Sequence, residues 1–460
     1  MENVKTFFSK NISLLALILV TLLKQPVLFC QHVENQPVED IFRVMALVAE
    51  NNDNPLWPGF KVSEVPVMVY DSINTWLFHA ELAPDGFTEV KEHPGIYMFN
   101  GQYPIVRGNS VTRLGDKWIA TSVFSSYARR TGEKYDTRDL AGIIIHEQFH
   151  IFQRINHPGW QQNDGLLLLY PAETAEALFL RRVEKEAFKR AVLSGNTGEI
   201  SGWVKEALSY RDQRLNMVNP VFGQYEKELQ RTEGLSDYIE KVARKLDPLN
   251  ASDITNGIAP AGVRDLGYVE GRWIAMILDK INPGWKLALE ENDTLYLEDI
   301  LEKSINYLPG NTTSFSSDEI EVIRVNADSD FLKWQEKKKQ EIEQFNDLAG
   351  YRVEINASAN PLGIRIFEPL EIEILGDRSV YHRLIFSAGN EAGTLRIMNQ
   401  PCISWFDNSL RIEKLVLNGL KESPEIIENE NKFVIKSNNI SIDLKYSHMS
   451  INGSSYILEL

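Results

Sequence analysis

The chain reads as an α+β multidomain protein. It has a β-rich N-terminal lobe, a mainly helical core and a C-terminal all-β domain built as a sandwich or barrel. Three observations predict this order. Between about Pro66 and Phe124, short β-branched or aromatic runs are separated by Gly, Pro, Asn or Asp, the pattern of strands and turns. From Asp136 to about Asp347, apolar residues recur at helical spacing among good helix formers. After Gly350 the strand pattern returns and holds to the end. A length of 460 residues also exceeds one ordinary hydrophobic core.

The elements follow in order. Residues 1–30 read as a secretory signal: Lys5 and Lys10 precede Ile12–Leu23, a twelve-residue apolar run too short to span a bilayer, which takes about 20 residues. The chain is therefore expected to be secreted or periplasmic, with no integral span once the signal is removed. Lipid anchoring through Cys30 is the lesser alternative, because bulky Phe29 precedes it. A short helix is expected near Val38–Ala49. In the lobe, residues 31–135, the strands are PVMVYD, TWLFHA, IYMFNG, PIVRG and KWIATSVF. The helical domain, 136–347, holds six pieces: DTRDLAGIIIHEQFHIFQRI, PAETAEALFLRRVEKEAFKRAVLS, SGWVKEALSYRDQRLNMV, VFGQYEKELQRTEGLSDYIEKVARKL, GYVEGRWIAMILDKI and a final charged helix, Trp334–Asp347. The last domain, 350–460, carries nine strand-like runs.

Composition removes several function classes. Hydrophobic content of 43% and aromatic content of 10% mark folded domains. A formal net charge of −16 repels phosphate backbones, so no nucleic-acid partner is expected. Cys30 and Cys402 are the only cysteines. With Cys30 lost in the signal, no internal disulfide forms, and stability must come from the cores.

The chemistry concentrates in AGIIIHEQFHIFQ, Ala141–Gln153. On a helix, His146 and His150 lie four apart on one face and can place two nitrogens on one ion, with Glu147 beside it. This is the HExxH arrangement, in which two His bind zinc and the Glu acts as general base. A catalytic zinc takes three protein ligands. The extended pattern HExxHxxGxxH fails, because Gln153 and Asn156 stand where Gly and His are needed. The third ligand is thus expected to be a carboxylate from a later helix: Glu233 in RTEGLSDYIE, or Glu184 in LFLRRVEKEAFKRA, with Glu173 and Glu176 behind them. Asp237, four beyond Glu233, would accept the free N–H of a ligand His. Arg211 and Arg214 read as structural salt-bridge formers.

HEQFH followed by EGLSD resembles the gluzincin metallopeptidases, the thermolysin-like and aminopeptidase-N-like families, over roughly residues 136–290. The resemblance implies a zincin-like catalytic core in the helical domain, with zinc on His146, His150 and Glu233 and with Glu147 as base. The separation departs from the commonest pattern: Glu233 lies 83 positions after His150, so at least one extra helix is inserted, which keeps Glu184 as a rival. LGYVEGRWIAMILDKI resembles an aminopeptidase-N-like stretch whose Tyr stabilises the oxyanion, which implies that role for Tyr268, with Arg264 and Arg272 as alternative donors.

The expectation is therefore a secreted zinc metallopeptidase acting on a peptide or protein substrate. KWIATSVF, Lys117–Phe124, would align the peptide by edge pairing, and the C-terminal domain would serve binding or support. The rival expectation is a non-catalytic secreted binding or scaffold protein with a vestigial or structural zinc site.

Overall fold

The structure is a computed structural model that describes residues 36–52, 56–124, 136–171, 173–245, 262–310, 314–376 and 378–460. The expected signal segment and Cys30 lie outside the described residues. The chain forms two compact units, Met1–Asn156 with Ile239–Leu246, and His157–Tyr238 with Asp247–Leu460.

The first unit begins with helix α1, Gln36–Ala49, and a six-stranded sheet. The strands are β1 (Val67–Tyr70), β2 (Asn74–Phe78), β3 (Thr88–Glu89), β4 (Tyr97–Asn100), β5 (Ser110–Leu114) and β6 (Lys117–Val123), in the order β3-β4-β2-β1-β6-β5. β1 is central, with Val67, Met68 and Val69 all buried, and it pairs antiparallel with β2 and parallel with β6. Two expectations fail here. PIVRG forms turns instead of a strand. β6 is no edge, since it is paired on both sides by β1 and β5, so it has no free backbone row for a peptide. β5 escapes the sequence reading because Ser110, Thr112 and Arg113 leave it without an apolar face.

Helix α2, Thr137–Asn156, packs on β6, β5 and α1. Phe149 stands edge-on to Trp57 and Phe60, and Phe152 meets Phe60. Buried Gln148 donates to the carbonyls of Val62 and Val65 at 2.8 and 2.9 Å. These contacts set the rotation of α2, and hence the direction of His146 and His150.

In the second unit, α3 (Ala175–Leu193) and α4 (Thr197–Leu215) pair as a hairpin, each opened by a side-chain cap, Thr174 and Asn196. Pro220 starts α5 (Pro220–Leu229), which runs through a π-helical turn, Gln230–Gly234, into α6 (Leu235–Arg244). From Ile239 onward α6 belongs to the first unit. Helices α7 (Val263–Ile281), α8 (Trp285–Glu291), α9 (Leu297–Ile305) and α10 (Ser317–Asn346) follow. The last helix was expected only from Trp334. It starts at a Ser316/Glu319 capping box, and the stretch VIRVNADSD, rich in β-branched residues, Asn and Asp, hides its first half.

The C-terminal strands form one thirteen-stranded sheet, antiparallel except where β7 (Tyr351–Asn356) runs parallel to β19 (Ser455–Glu459). The sheet forks at β14 (Arg411–Leu420). The start of β14 pairs with β8 (Leu362–Phe367) and the remainder with β7. Side chains from both branches meet in one core, which also takes in Leu167, Tyr225 and Leu229 of the helical part. Four strands were not expected: Glu425–Ile427 and His448–Asn452, which are short or exposed, and Ser379–His382 and Cys402–Phe406, which are buried at nearly every position and so show no alternation. Cys402 is a buried free thiol, pushed up by burial. No helix among the described residues is long and apolar enough to cross a membrane.

The π-turn rests on α7 through glycines. A Cβ on Gly271 would lie 2.4 Å from the carbonyl oxygen of Gln230, and one on Gly234 would lie 2.6 Å from Cα of Gly271. Both clashes are with backbone, which cannot swing aside. Gly271→Ala is expected to cost about 1–3 kcal/mol, read as a lower urea midpoint at unchanged slope.

Candidate metal centre

His146 and His150 project from α2 with their Nε2 atoms 3.1 Å apart. Two nitrogens each about 2.05 Å from one tetrahedral ion sit roughly 3.3 Å apart, so the pair stands at the spacing of shared ligation. Each ring is held from behind. Nδ1 of His150 donates to Oε1 of buried Gln153 at 3.0 Å. Nδ1 of His146 faces Oε2 of Glu240, in the last turns of α6, at 3.5 Å. The Gln153 bond leaves Nε2 of His150 as the free lone pair and fixes that ring, while the Glu240 carboxylate faces the His146 ring from behind. Against the upward push of burial, hydrogen bonding to His146 and the charges of Lys241 and Arg244 hold the Glu240 carboxyl well below its usual range. Arg244 crosses α2 at Gly142, where a Cβ would lie 2.4 Å from its Cδ.

Glu233 lies in the π-turn, a wound-out segment that recurs at functional sites. Arg264 of α7 donates to its Oε1 at 2.8 Å and Gln162 donates to the same oxygen at 3.0 Å. Arg264 in turn binds Asp164. Burial works against the Arg264 charge, but Glu233, Tyr268 and Asp164 together raise its pKa. His146, His150 and Glu233 each offer one ligand atom, and these atoms all lie within 4.8 Å of one another.

Other expected residues fall as follows. Glu147 is partly exposed in the same turn as the two His. Tyr268 is half-buried one turn beyond Arg264, whose Cζ lies 5.8 Å from the ring centre. Asp237 accepts a short hydrogen bond from Arg272, and a carboxylate that faces His146 Nδ1 is that of Glu240. Arg264 and Arg272 are thus engaged by Glu233 and Asp237. Glu184 is fully buried and bound by Arg211 and Arg214 at 2.6 and 2.9 Å. Glu173 lies 3.5 Å from Arg181, and Glu176 pairs with Arg324 at 2.6 Å. His157 stacks on Trp160 and carries Asp293 and Glu290 on its two nitrogens. Arg211 and Arg214 are internal salt-bridge formers, as expected.

Four supporting residues went unread: Glu240, Gln153, Gln162 and, in its present role, Arg264. Spacing carries a signal for two of them. Gln153 is three beyond His150, and Glu240 is two turns beyond Glu233, on the same helical face. Gln162 and Arg264 arrive from separate elements, which no local pattern marks.

No protein-family model matches the chain, and no curated protein or solved structure is detectably similar to it.

Removing either support should loosen one of the two imidazole rings without removing it. Glu240→Gln and Gln153→Leu are each expected to weaken zinc binding by about 10–100-fold, measured by competition with a chromophoric chelator.

Proposed function

We propose that this protein is a secreted zinc metallopeptidase with a zincin-like helical core, hydrolysing peptide bonds in a peptide or protein substrate. The observation that supports it is the grouping of two helix-borne imidazoles and one carboxylate, His146, His150 and Glu233, whose ligand atoms all lie within 4.8 Å of one another. The donor set of two nitrogens and one oxygen suits zinc with a position left for water. The supports behind the rings add to the case, because a helix with no ligand to hold has no need to orient both of its imidazoles. Secretion rests on the sequence of residues 1–30 alone.

When bound, a zinc ion supplies Lewis acidity, polarising a carbonyl and making water acidic near neutral pH. The protein does the rest. Glu147, adjacent to His146 on the same turn, takes the proton of the attacking water and returns it to the leaving amine. Tyr268 offers a phenolic O–H to the oxygen that gains charge. Arg264 and Gln162, both donating to its Oε1, aim the Glu233 carboxylate.

Glu147 separates a peptidase from a binding protein with a structural metal, since only the former needs a base. Glu147→Gln is expected to bind one zinc per chain with near-native affinity and to lose peptide hydrolysis by at least about 100-fold. Stoichiometric zinc with unchanged hydrolysis in that variant would overturn the mechanism, and a chain that binds no zinc would overturn the proposal.

A further inference from the structure

Two residues beyond Tyr268, α7 carries a carboxyl group that lies outside the metal centre. Glu270 is 2% exposed. From α4, Arg211 binds it at 2.7 Å while also binding Glu184 of α3 at 2.6 Å and Glu298 of α9 at 2.5 Å. Arg214, one turn on, binds Glu184 and, on α5, Glu226. Arg181 of α3 lies 3.8 Å from Glu226 and 3.5 Å from Glu173, and Lys227 of α5 reaches Glu298 at 3.0 Å. Five buried carboxyls therefore face three buried guanidiniums and one partly buried ammonium. Fully ionised, the cluster would hold uncompensated negative charge, which a protein interior does not tolerate cheaply.

Two oxygens here have no hydrogen-bond partner among the described residues, Glu270 Oε1 and Gln230 Oε1. They belong to adjoining side chains, because Gln230 Nε2 donates to Glu270 Oε2 at 3.0 Å. With Glu270 ionised, both orphans are acceptors and neither can serve the other. With a proton on Oε1, the amide and the acid can close a ring of two hydrogen bonds: amide N–H to acid carbonyl, acid O–H to amide carbonyl. One proton supplies the missing donor and removes the excess charge.

We infer that Glu270 is held as a neutral carboxylic acid ringed with Gln230, and that this ring is a positioning device for the π-turn that presents Glu233. Burial, reinforced by the charge of Glu184, outweighs Arg211 and pushes Glu270 up to about 7. Glu226 and Glu298 do not compete for the proton. Despite burial, Arg214 takes Glu226 down to about 2, and Arg211 with Lys227 lowers Glu298. Gln230 opens the π-turn and Glu233 is its fourth residue, so the ring and the Gly271 contact grip the turn by side chain and by backbone.

The direction with pH follows. The folded value, about 7, lies above the ordinary 4.5. The folded state therefore holds a proton that the unfolded chain has released. The stability from the neutral acid is complete below about 4.5, is lost as pH rises to about 7 and changes no further above it.

The positioning role rests on the metallopeptidase reading; the protonation state does not. Glu270→Gln tests both on the full chain, because an amide keeps the two-bond ring at every pH. In metal-stripped protein, infrared difference spectra taken across pH 7 should show a carboxylic-acid C=O band in the wild type that is absent from Glu270→Gln. The wild-type melting temperature should also fall relative to that variant between about pH 4.5 and about pH 7, then run parallel. No such band, or parallel melting curves throughout, overturns the neutral acid. In zinc competition, Gln230→Leu should bind at least tenfold more weakly than Glu270→Gln, and the wild type should weaken relative to Glu270→Gln above pH 7. Should Gln230→Leu fail to fold, the wild-type comparison with Glu270→Gln decides alone. If the band is present and no form binds zinc, only the metallopeptidase reading fails. If zinc binds and all folded forms share one affinity across pH, the positioning role is wrong and the metal centre stands.

Discussion

The backbones of the π-turn and α7 approach each other at Gly234 and Gly271 more closely than any side chain permits. That approach decides most of what surrounds it. It lets Arg264 reach Glu233 and it places Gln230 against Glu270. A π-turn adds one residue to a helical repeat and so shifts every side chain after it around the axis. The wider turn is therefore also what places Glu233 and Glu240 on the faces they occupy.

Buried charge in the chain is handled in two ways. His150, His146 and Glu233 each have one polar partner that fixes the direction of the side chain: Gln153 for His150, Glu240 for His146, Arg264 for Glu233. Deeper in the helices, Arg181, Arg211 and Arg214 share a larger number of carboxyls. Buried ion pairs contribute little net stability when complete but cost several kcal/mol when one partner is removed. Such a network therefore favours one arrangement of α3, α4, α5, α7 and α9 over its neighbours more than it deepens the energy of that arrangement.

Much of the fold was legible. The Phe, Ile and Leu spacing of α2 and α3 reads as helix, and alternation in ISIDLK or KFVIK reads as strand, because half-buried elements print their period on the sequence. Where burial is uniform, as at Ser379–His382 and Cys402–Phe406, the period vanishes and the strands go unseen. β6 shows the limit of a strand pattern: its residues announce a strand, while only the neighbours β1 and β5 decide that it is internal. Glu184 shows the same for a site. It sits on a well-formed helix near HExxH, and nothing local says that two arginines from the next helix already claim it.

What the sequence determined by itself is the half of the candidate site that lies within one helix. His146, Glu147 and His150 are arranged by a 3.6-residue repeat, and no distant contact is needed to put both imidazoles on one side. Which carboxylates Arg211 and Arg214 claim, which carboxylate faces His146 Nδ1, and the pairing of Gln230 with Glu270 belong to the tertiary structure. Each depends on which helix faces which, and that is set by glycine contacts and by the balance of buried charge, quantities summed over residues far apart in the chain.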